Sequence, residues 1–314
     1  MTALEALSVY LPPVREPIRS AVGHLGLRDM DFRIFEKFGL NEVGRDHDAS
    51  LYDLLMNAAA GLAELQGEEQ RVRYVIHARA MPVVAPYPVN PLHEVCRALG
   101  LGHALAFTVA HQSCASGLLA IDLAGRLLAA DAAIAADGEP APLALILAGE
   151  KAFTREAQMY TATTVFGEGA SACLVSASGT RDRMLAYAAD VRGEFDSATG
   201  ANDARLQYEY KYSLADVMRR AMGDAGLTLD DIRVVLPHNV NRKAWVATCK
   251  QLGLPLDRVV IDNIGVLGHV FCADMFINYQ TARERGLLQP GDRYLAAAVG
   301  AGGGATFAAM VFEH

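Results

Sequence analysis

The chain has 314 residues, of which 52% are hydrophobic, and a formal net charge of −8. This length allows one large domain or two fused ones, while the acidic balance and the lack of a long Lys/Arg run argue against nucleic acid as the main partner. Charges or glycines interrupt the longest apolar segments before about 18 residues, so the sequence predicts no membrane span.

The five cysteines are scattered along the chain and form no Cys-x-x-Cys pair: Cys96, Cys114, Cys173, Cys249 and Cys272. An odd number with wide spacing argues against a disulfide framework or a structural zinc site. The N-terminal segment has an early acid and no basic region, unlike a signal peptide. We therefore predict a cytoplasmic protein with free thiols and no bound metal.

Apolar runs and segments of helical period alternate along the chain, which indicates an α/β fold. In the first half, strands are predicted at 4–12, 73–79, 104–110, 143–150 and 169–178, with helices at 48–66, at 91–100 and after Cys114. In the second half, helices are predicted at 206–226, 241–253 and 273–288, with strands at 232–238, 258–264 and within 294–312. The low-complexity segment 129–142 is predicted to be a helix end and a surface loop. The similar order of the two halves suggests internal duplication.

Cys114 lies in the segment "AHQSCASGLLAIDLAG", where a polar approach becomes an almost wholly apolar helix. Such a helix is expected at the centre of the molecule. The backbone N–H groups and dipole at its N-terminus favour a thiolate. A small buried residue is the alternative interpretation.

Two histidines follow predicted strands or tight turns. His238 and Asn241 occur in "VVLPHNVNRKAW", and His269 occurs in "GVLGHVFCADMF". Catalytic residues often lie in loops that follow strands in α/β folds. The alternative for His238 and Asn241 is a solvated histidine followed by an N-capping asparagine. The alternative for His269 is a structural turn histidine. The glycines of "VGAGGGATF" permit the close backbone approach that an oxyanion pocket needs, or simply form a hairpin.

Together these segments resemble the thiolase-superfamily condensing enzymes, most closely the 3-oxoacyl-(acyl-carrier-protein) synthase III type, over essentially the whole chain. The resemblance is carried by "SCASGLLAIDLA", "FGEGASACLV", "PHNVNRK" and the terminal "AVGAGGGATFAAMVF". It implies a five-layered α/β/α/β/α thiolase-like fold with two pseudo-repeated halves. Residues 1–180 would carry the nucleophilic cysteine and residues 181–314 both catalytic histidines.

The sequence departs from the family pattern at several positions. "GHVF" stands where the family has Gly-Asn-Thr-Ser, which places His269 at the third catalytic position, and Glu168 replaces an aspartate. A Cys-His-His set is similar to that of the elongating ketosynthases of the same superfamily. The tryptophan and arginine that grip coenzyme A in the family are poorly matched by "DFRIFEKFG", which offers Arg33 and Lys37.

The resemblance implies that Cys114 accepts an acyl group and that the backbone N–H groups of Cys114 and Gly302 form the oxyanion hole. A malonyl-type thioester would then lose CO₂, with His238 and His269 stabilising the enolate, in a specialised polyketide-like or fatty-acid-like pathway. One alternative keeps the acyl enzyme but uses His269 as a base, so that a hydroxyl or amine takes the acyl group without decarboxylation. A non-catalytic partner subunit of a synthase heterodimer is the other alternative.

The implied substrates are acyl-CoA or acyl-carrier-protein thioesters, with no permanently bound cofactor. Asn241, Arg242, Lys243 and Lys250 are the residues expected to bind substrate or carrier, and the cations among them would form a local basic patch. A solvated charged helix face is the alternative. The family is typically homodimeric, and Tyr87 would lie in the segment that reaches the pocket of the partner.

Overall fold

The computed structural model describes residues 2–134, 140–160, 163–195, 200–302 and 304–314, without the side chains of 200–203. Within these ranges the strands are β1 (Ala3–Tyr10), β2 (Val14–Pro17), β3 (Glu42–Arg45), β4 (Val72–Ala78), β5 (Leu105–Val109), β6 (Leu143–Glu150), β7 (Met159–Tyr160), β8 (Thr164–Val165), β9 (Gly169–Ser176), β10 (Arg183–Arg192), β11 (Ile232–Pro237), β12 (Arg293–Ala301) and β13 (Ala305–Glu313). The helices are α1 (Ile18–Val22), α2 (Asp29–Lys37), α3 (Leu51–Ala60), α4 (Pro91–Ala98), α5 (Ser116–Ala132), α6 (Arg155–Gln158), α7 (Gly200–Asp224), α8 (Arg242–Leu252), α9 (Ile264–Leu267) and α10 (Asp274–Glu284).

Nine of the strands form two sheets that repeat one topology and are continuous at one edge, while β2 pairs with β3 and β7 pairs with β8 in two small separate sheets. The first has the order β5-β4-β6-β9-β1 and the second β11-β12-β13-β10, and a single residue pair, Ala3 with Arg183, joins them. In each sheet the first two strands of this order are parallel, β5 with β4 and β11 with β12. The last two strands are antiparallel, β9 with β1 and β13 with β10. Val259 forms one parallel bridge with Val235 of β11, at the position that β5 occupies beside β4. The repeat is therefore complete except for one strand.

The expected strand at 258–264 is the missing one, so that prediction is wrong. The backbone N–H of Val259 donates to Leu256, and that of Ile261 donates to Val259. Because these N–H groups close local turns, they are not available for a sheet ladder. Strand β10, which the sequence analysis did not predict, pairs along its whole length with β13.

The two sheets enclose α5 and α10, and other helices cover their outer faces. Side chains of α5 and α10 share one buried cluster with both sheets. Helices α3 and α4 pack on the outside of the first sheet, and α7 and α8 on the outside of the second. This arrangement gives five layers and confirms the predicted thiolase-like fold. The boundary at residue 180 stays a prediction.

The two central helices begin in the same way. A 3₁₀ turn, Ser113–Ala115 before α5 and Phe271–Ala273 before α10, precedes each, and the first residue of each turn has φ of 48°. The turns lie against each other, since a Cβ on Gly117 would be 2.8 Å from the Cys272 carbonyl oxygen. Glycine is therefore required where the starts of the two helices meet.

One described segment, Ser113–Ala132, is long and apolar enough to cross a membrane by length and composition. Most of it is buried inside the protein, between the sheets. A core helix of this kind passes the same test, so the segment is weak evidence for a membrane span.

Candidate active site

Cys114 lies in the strained turn before α5 and is 9% exposed. Its neighbour Ser113 has a left-handed backbone, and the Ser113 hydroxyl donates to the Ala301 carbonyl at 3.0 Å. A Cβ on Gly300 would be 1.9 Å from the Gln112 carbonyl oxygen. The glycine-rich hairpin is thus held against the cysteine turn, and a strained backbone of this kind is often retained at functional sites.

Cys114 faces a cavity of about 510 Å³, a size that accommodates a small organic ligand. Its walls are largely apolar and include Met81, Met159, Phe166 and Phe271. Phe166 and Phe271 stack on each other with ring centroids 4.6 Å apart. The sulfur is therefore reachable from a pocket suited to an acyl chain.

His269 is fixed by a buried carboxylate. Its Nδ1 is 2.5 Å from Oδ2 of Asp274, and the two residues are 3% and 1% exposed. The same carboxylate accepts the backbone N–H of Val270 at 2.7 Å and both the backbone N–H and the side-chain amide of Asn239. These bonds hold Asp274 in one orientation, which sets Nδ1 of His269 as the donor.

The environment of His269 favours its protonated form. Burial lowers the pKa of His269, but the charges of Asp274 and Cys114 and the hydrogen bonds to both raise it to about 10. With Nδ1 bonded to Asp274, the other ring nitrogen is the one available to the Cys114 sulfur. Cys114, His269 and Asp274 therefore lie in series as a thiol, an imidazole and a carboxylate, the order of groups that activates nucleophiles in known acyl-transfer sites.

His238 lies at the end of β11, with its ring centroid 5.8 Å from that of His269. Burial and the charge of His269 hold the pKa of His238 well below its usual value, so the ring is neutral. The indole N–H of Trp245 donates to the His238 carbonyl at 2.9 Å. Nε2 of His238 is 2.5 Å from the hydroxyl of Tyr210 on α7. Cys114, His238 and His269 are thus gathered at one site.

Asn241 is occupied elsewhere. Its side-chain oxygen accepts the backbone N–H of Ala244 at 2.7 Å and caps α8, while its amide donates to the Thr163 carbonyl at 2.9 Å. Both ends of the amide are thus used in structural bonds. This geometry supports the capping interpretation of Asn241 rather than a role in binding substrate.

Replacing Asn241 by alanine is expected to lower the free energy of unfolding by about 1 kcal/mol, because a helix N-cap is lost. Denaturant titration measures this change. Acylation of Cys114 per folded molecule is expected to stay at the wild-type rate, and a selective loss of acylation would instead place Asn241 in the binding site.

Gly302 lines the cavity with Cys114 and has φ of +124°. Its backbone N–H donates to the Gly304 carbonyl at 3.2 Å. An oxyanion hole at Gly302 stays a prediction, because this N–H would have to change its acceptor when charge develops on a substrate.

The proposed carrier-binding cations are exposed and lie outside the residues that line the cavity. Arg242, Lys243 and Lys250 project from α8, and the Lys243 ammonium lies 5.1 Å from the centroid of the Phe38 ring. Arg33 and Lys37 are also exposed, on α2 just before Phe38. Helix α8 therefore presents positive charge without acids, whereas Arg33 and Lys37 share α2 with Asp29, Asp31 and Glu36.

Two other residues singled out in the sequence do not line the Cys114 cavity. Tyr87 is 97% exposed and is not among the residues that line the Cys114 cavity. Glu168 is buried and pairs with Lys151 at 2.8 Å. It also accepts the backbone N–H groups of Asp46 and Ala152, so it ties loops together.

Sequence reasoning missed Asp274 and Tyr210. Asp274 follows His269 by five residues, in "GHVFCAD", and is an acid in an otherwise apolar stretch. That isolation was an available signal, since buried carboxylates need partners. Tyr210 is one of three tyrosines in "YEYKY", and nothing in that pattern distinguishes it.

Known proteins share this architecture. A family model described as the C terminal of 3-oxoacyl-[acyl-carrier-protein] synthase III matches residues 222–314. A beta-ketoacyl-[acyl-carrier-protein] synthase III of Rhizorhabdus wittichii is 31% identical over 235 residues, covering 69% of this chain and 70% of the relative. The solved structure of ChlB3, titled an acyltransferase, superposes with a TM-score of 0.83 at 21% identity, over 99% of this chain and 97% of the other. The synthase III of Aquifex aeolicus gives a TM-score of 0.82 at 20% identity, over the whole of both chains.

The fold and the setting of Cys114 define a thiolase-superfamily protein. Within that superfamily the chain belongs to the 3-oxoacyl-[acyl-carrier-protein] synthase III family.

Proposed function

We propose that this protein is a thioester-dependent acyltransferase that carries an acyl group on Cys114 and passes it to a hydroxyl or amine without decarboxylation. The observation that carries the proposal is the buried carboxylate of Asp274 on Nδ1 of His269. An asparagine at this position could donate a hydrogen bond but could not accept a proton, whereas an oriented histidine does both.

The first half-reaction forms the acyl enzyme. The Cys114 thiolate attacks the thioester carbonyl, and the carbon–sulfur bond to the carrier breaks. The departing carrier thiolate takes the proton held by His269. Because acylated Cys114 no longer bears negative charge, one of the interactions that raise the pKa of His269 is lost, and the neutral ring can act as a base.

The second half-reaction transfers the acyl group. His269 accepts the proton of the acceptor hydroxyl or amine as its oxygen or nitrogen attacks the acyl carbon. The bond to Cys114 breaks, which restores the thiolate beside a protonated imidazole. Asp274 stabilises that imidazolium throughout and does not itself become protonated. The fold is compatible with this chemistry, since ChlB3, titled an acyltransferase, shares it.

Decarboxylative condensation is the second candidate. It is favoured by family membership, since the Rhizorhabdus relative is named a beta-ketoacyl synthase, and by two imidazoles with centroids 5.8 Å apart. A non-catalytic subunit is disfavoured because it would not need a cysteine, a histidine and a carboxylate arranged in series.

Carbon dioxide distinguishes the two candidates. The purified protein is incubated with acyl thioesters of increasing length, and the mass of the intact protein reports acylation, with Cys114→Ala as the control. The acyl enzyme is then offered either alcohols and amines or a malonyl thioester. We expect an ester or amide without CO₂, and CO₂ released together with a carbon–carbon product would refute the proposal. Failure of every thioester to label Cys114 would favour the non-catalytic subunit.

The acyl donor is proposed to be bound to a carrier protein that docks on the cations of α2 and α8. Complementary charge mainly accelerates encounter between partners and weakens with salt. Lys243→Glu is expected to reduce acylation by a carrier-bound donor several-fold at low salt and to leave acylation by a coenzyme A donor unchanged. Arg97→Glu, an equal charge reversal at an exposed residue of α4, is the matched control. Equal effects of the two reversals would count against docking at α8.

A homodimer in the cytoplasm completes the proposal. Tyr87 is almost fully exposed and lies away from the cavity of its own chain, so a role as a pocket lid requires a second copy. The replacement of asparagine by His269 favours a specialised pathway over primary lipid synthesis.

A further inference from the structure

Tyr210 inserts a phenol into the group formed by Cys114, His238 and His269. Its hydroxyl is 2.5 Å from Nε2 of His238, and its ring packs edge-on against Phe307 with centroids 6.0 Å apart. Burial, with a contribution from the charge of Cys114, raises the pKa of Tyr210 well above its usual value. The phenol is therefore neutral, keeps its proton, and can donate it to the neutral imidazole.

Helix geometry selects Tyr210 from its neighbours. Residues two apart on a helix point in different directions, and Tyr208 and Tyr212 are both exposed on α7. They lie against each other with ring centroids 5.7 Å apart and flank Lys211. Of these three tyrosines, Tyr210 is the one that reaches the site.

The hydrogen bond to Tyr210 occupies the ring nitrogen that condensation would need. When a malonyl thioester loses CO₂, the bond to its carboxylate carbon breaks and the electron pair forms an enolate. Negative charge then develops on the thioester oxygen, which needs N–H donors close by. The neutral ring of His238 carries one N–H. If Nδ1 holds it, Nε2 accepts the Tyr210 proton and has none to give to that oxygen, and if Nε2 holds it, that N–H is already directed at the Tyr210 oxygen.

We propose that Tyr210 is a specificity-determining residue: its hydroxyl fills the hydrogen-bonding position on His238 that a malonyl-type thioester would require, so that acyl groups on Cys114 pass to oxygen or nitrogen and not to carbon. This inference rests on the proposed acyltransferase function. It adds a reason why a chain that retains both histidines would not condense.

The test compares Tyr210→Phe with wild type and with Tyr208→Phe, a matched control on the same helix. Each protein is first acylated on Cys114, as verified by intact mass, and is then given malonyl-CoA. The measurements are CO₂ released per acylated molecule and the carbon–carbon product. Removal of the hydroxyl frees Nε2 of His238 as a donor, and one such donor is worth about 10²–10³ in rate. We expect CO₂ release to rise by about 10²-fold in Tyr210→Phe and to stay unchanged in Tyr208→Phe.

Several outcomes would overturn the inference. One is CO₂ release by acylated Tyr210→Phe at the wild-type rate, and another is failure of a folded Tyr210→Phe to become acylated, which would assign the hydroxyl to the loading step. If Tyr210→Phe does not fold, Tyr210→Leu removes the same hydroxyl and is judged by the same measurements. If wild type forms an ester or amide and acylated Tyr210→Phe releases no additional CO₂, the inference about Tyr210 is refuted while the proposed function stands. Wild-type CO₂ release with condensation would refute the proposed function as well.

Discussion

Replacement of Asp274 by asparagine is expected to slow acyl transfer from Cys114 by about 10²–10⁴-fold, because general acid–base catalysis typically contributes that much and neutralising the orienting acid of a catalytic triad costs about 10⁴. Asparagine can offer an N–H to Nδ1 of His269, which would leave the other ring nitrogen as the proton carrier and reverse the tautomer. It also cannot stabilise the imidazolium. Because His269 and Asp274 form a buried pair, the variant is expected to lose about 3–5 kcal/mol of stability as well.

Loss of stability and loss of chemistry must be separated. Single-turnover transfer from preformed acyl enzyme is measured at a temperature where circular dichroism shows the variant to be folded. Asp182→Asn is the control, since Asp182 is also buried and accepts hydrogen bonds from Tyr279, Tyr294 and His314, away from Cys114. We expect Asp182→Asn to be destabilised yet active per folded molecule. An equally active Asp274→Asn would show that the carboxylate does not serve the reaction.

His269→Asn restores the residue that the family pattern has at this position, and it is expected to reduce transfer to alcohols or amines by about 10²–10⁴-fold, the usual contribution of a general base. An asparagine amide cannot take the proton of the acceptor. It can still donate a hydrogen bond, so any condensation with a malonyl thioester is expected to suffer much less.

The ratio of the two activities is the measurement. Ester or amide formation and CO₂ release are followed in parallel for wild type, His269→Asn and His269→Ala. Alanine removes both the base and the donor, so it separates the two properties of the side chain. Transfer that survives in His269→Asn but not in His269→Ala would mean that hydrogen-bond donation, and not proton abstraction, is the function of His269.

The sequence predicted much of this protein because its strongest patterns are local. The apolar run at 143–150 is the fully buried strand β6, and the helix predicted at 48–66 contains α3. The histidine positions came from resemblance to a family and not from periodicity. A helix pattern could place Cys114 at the start of α5, but no pattern could show that α10 begins beside it.

The errors have a physical origin in tertiary contacts. Residues 258–264 have the composition of a strand, but turns after Pro255 use the N–H groups of Val259 and Ile261 locally, and the sheet receives the Val260 N–H at a single bridge to β11. The role of Asp274 depends on its hydrogen bonds to Asn239 and His269, and these residues come together only in the folded chain. Tyr210 meets His238 across 28 positions of sequence. Such partners are decided by packing between layers, which one sequence does not display.

The matching turns before α5 and α10 put a second thiol, Cys272, at the position related to Cys114 by the internal repeat. Cys272 is 3% exposed, its sulfur donates to the Ser113 carbonyl, and its pKa is raised well above the usual value, chiefly by burial. The same backbone turn thus carries two thiols that an electrophile meets differently. Cys114 is open to the cavity, whereas Cys272 is buried and hydrogen-bonded. The two halves repeat the same turn but differ in the exposure of its thiol, and this difference determines which of the two sulfurs can react with an electrophile.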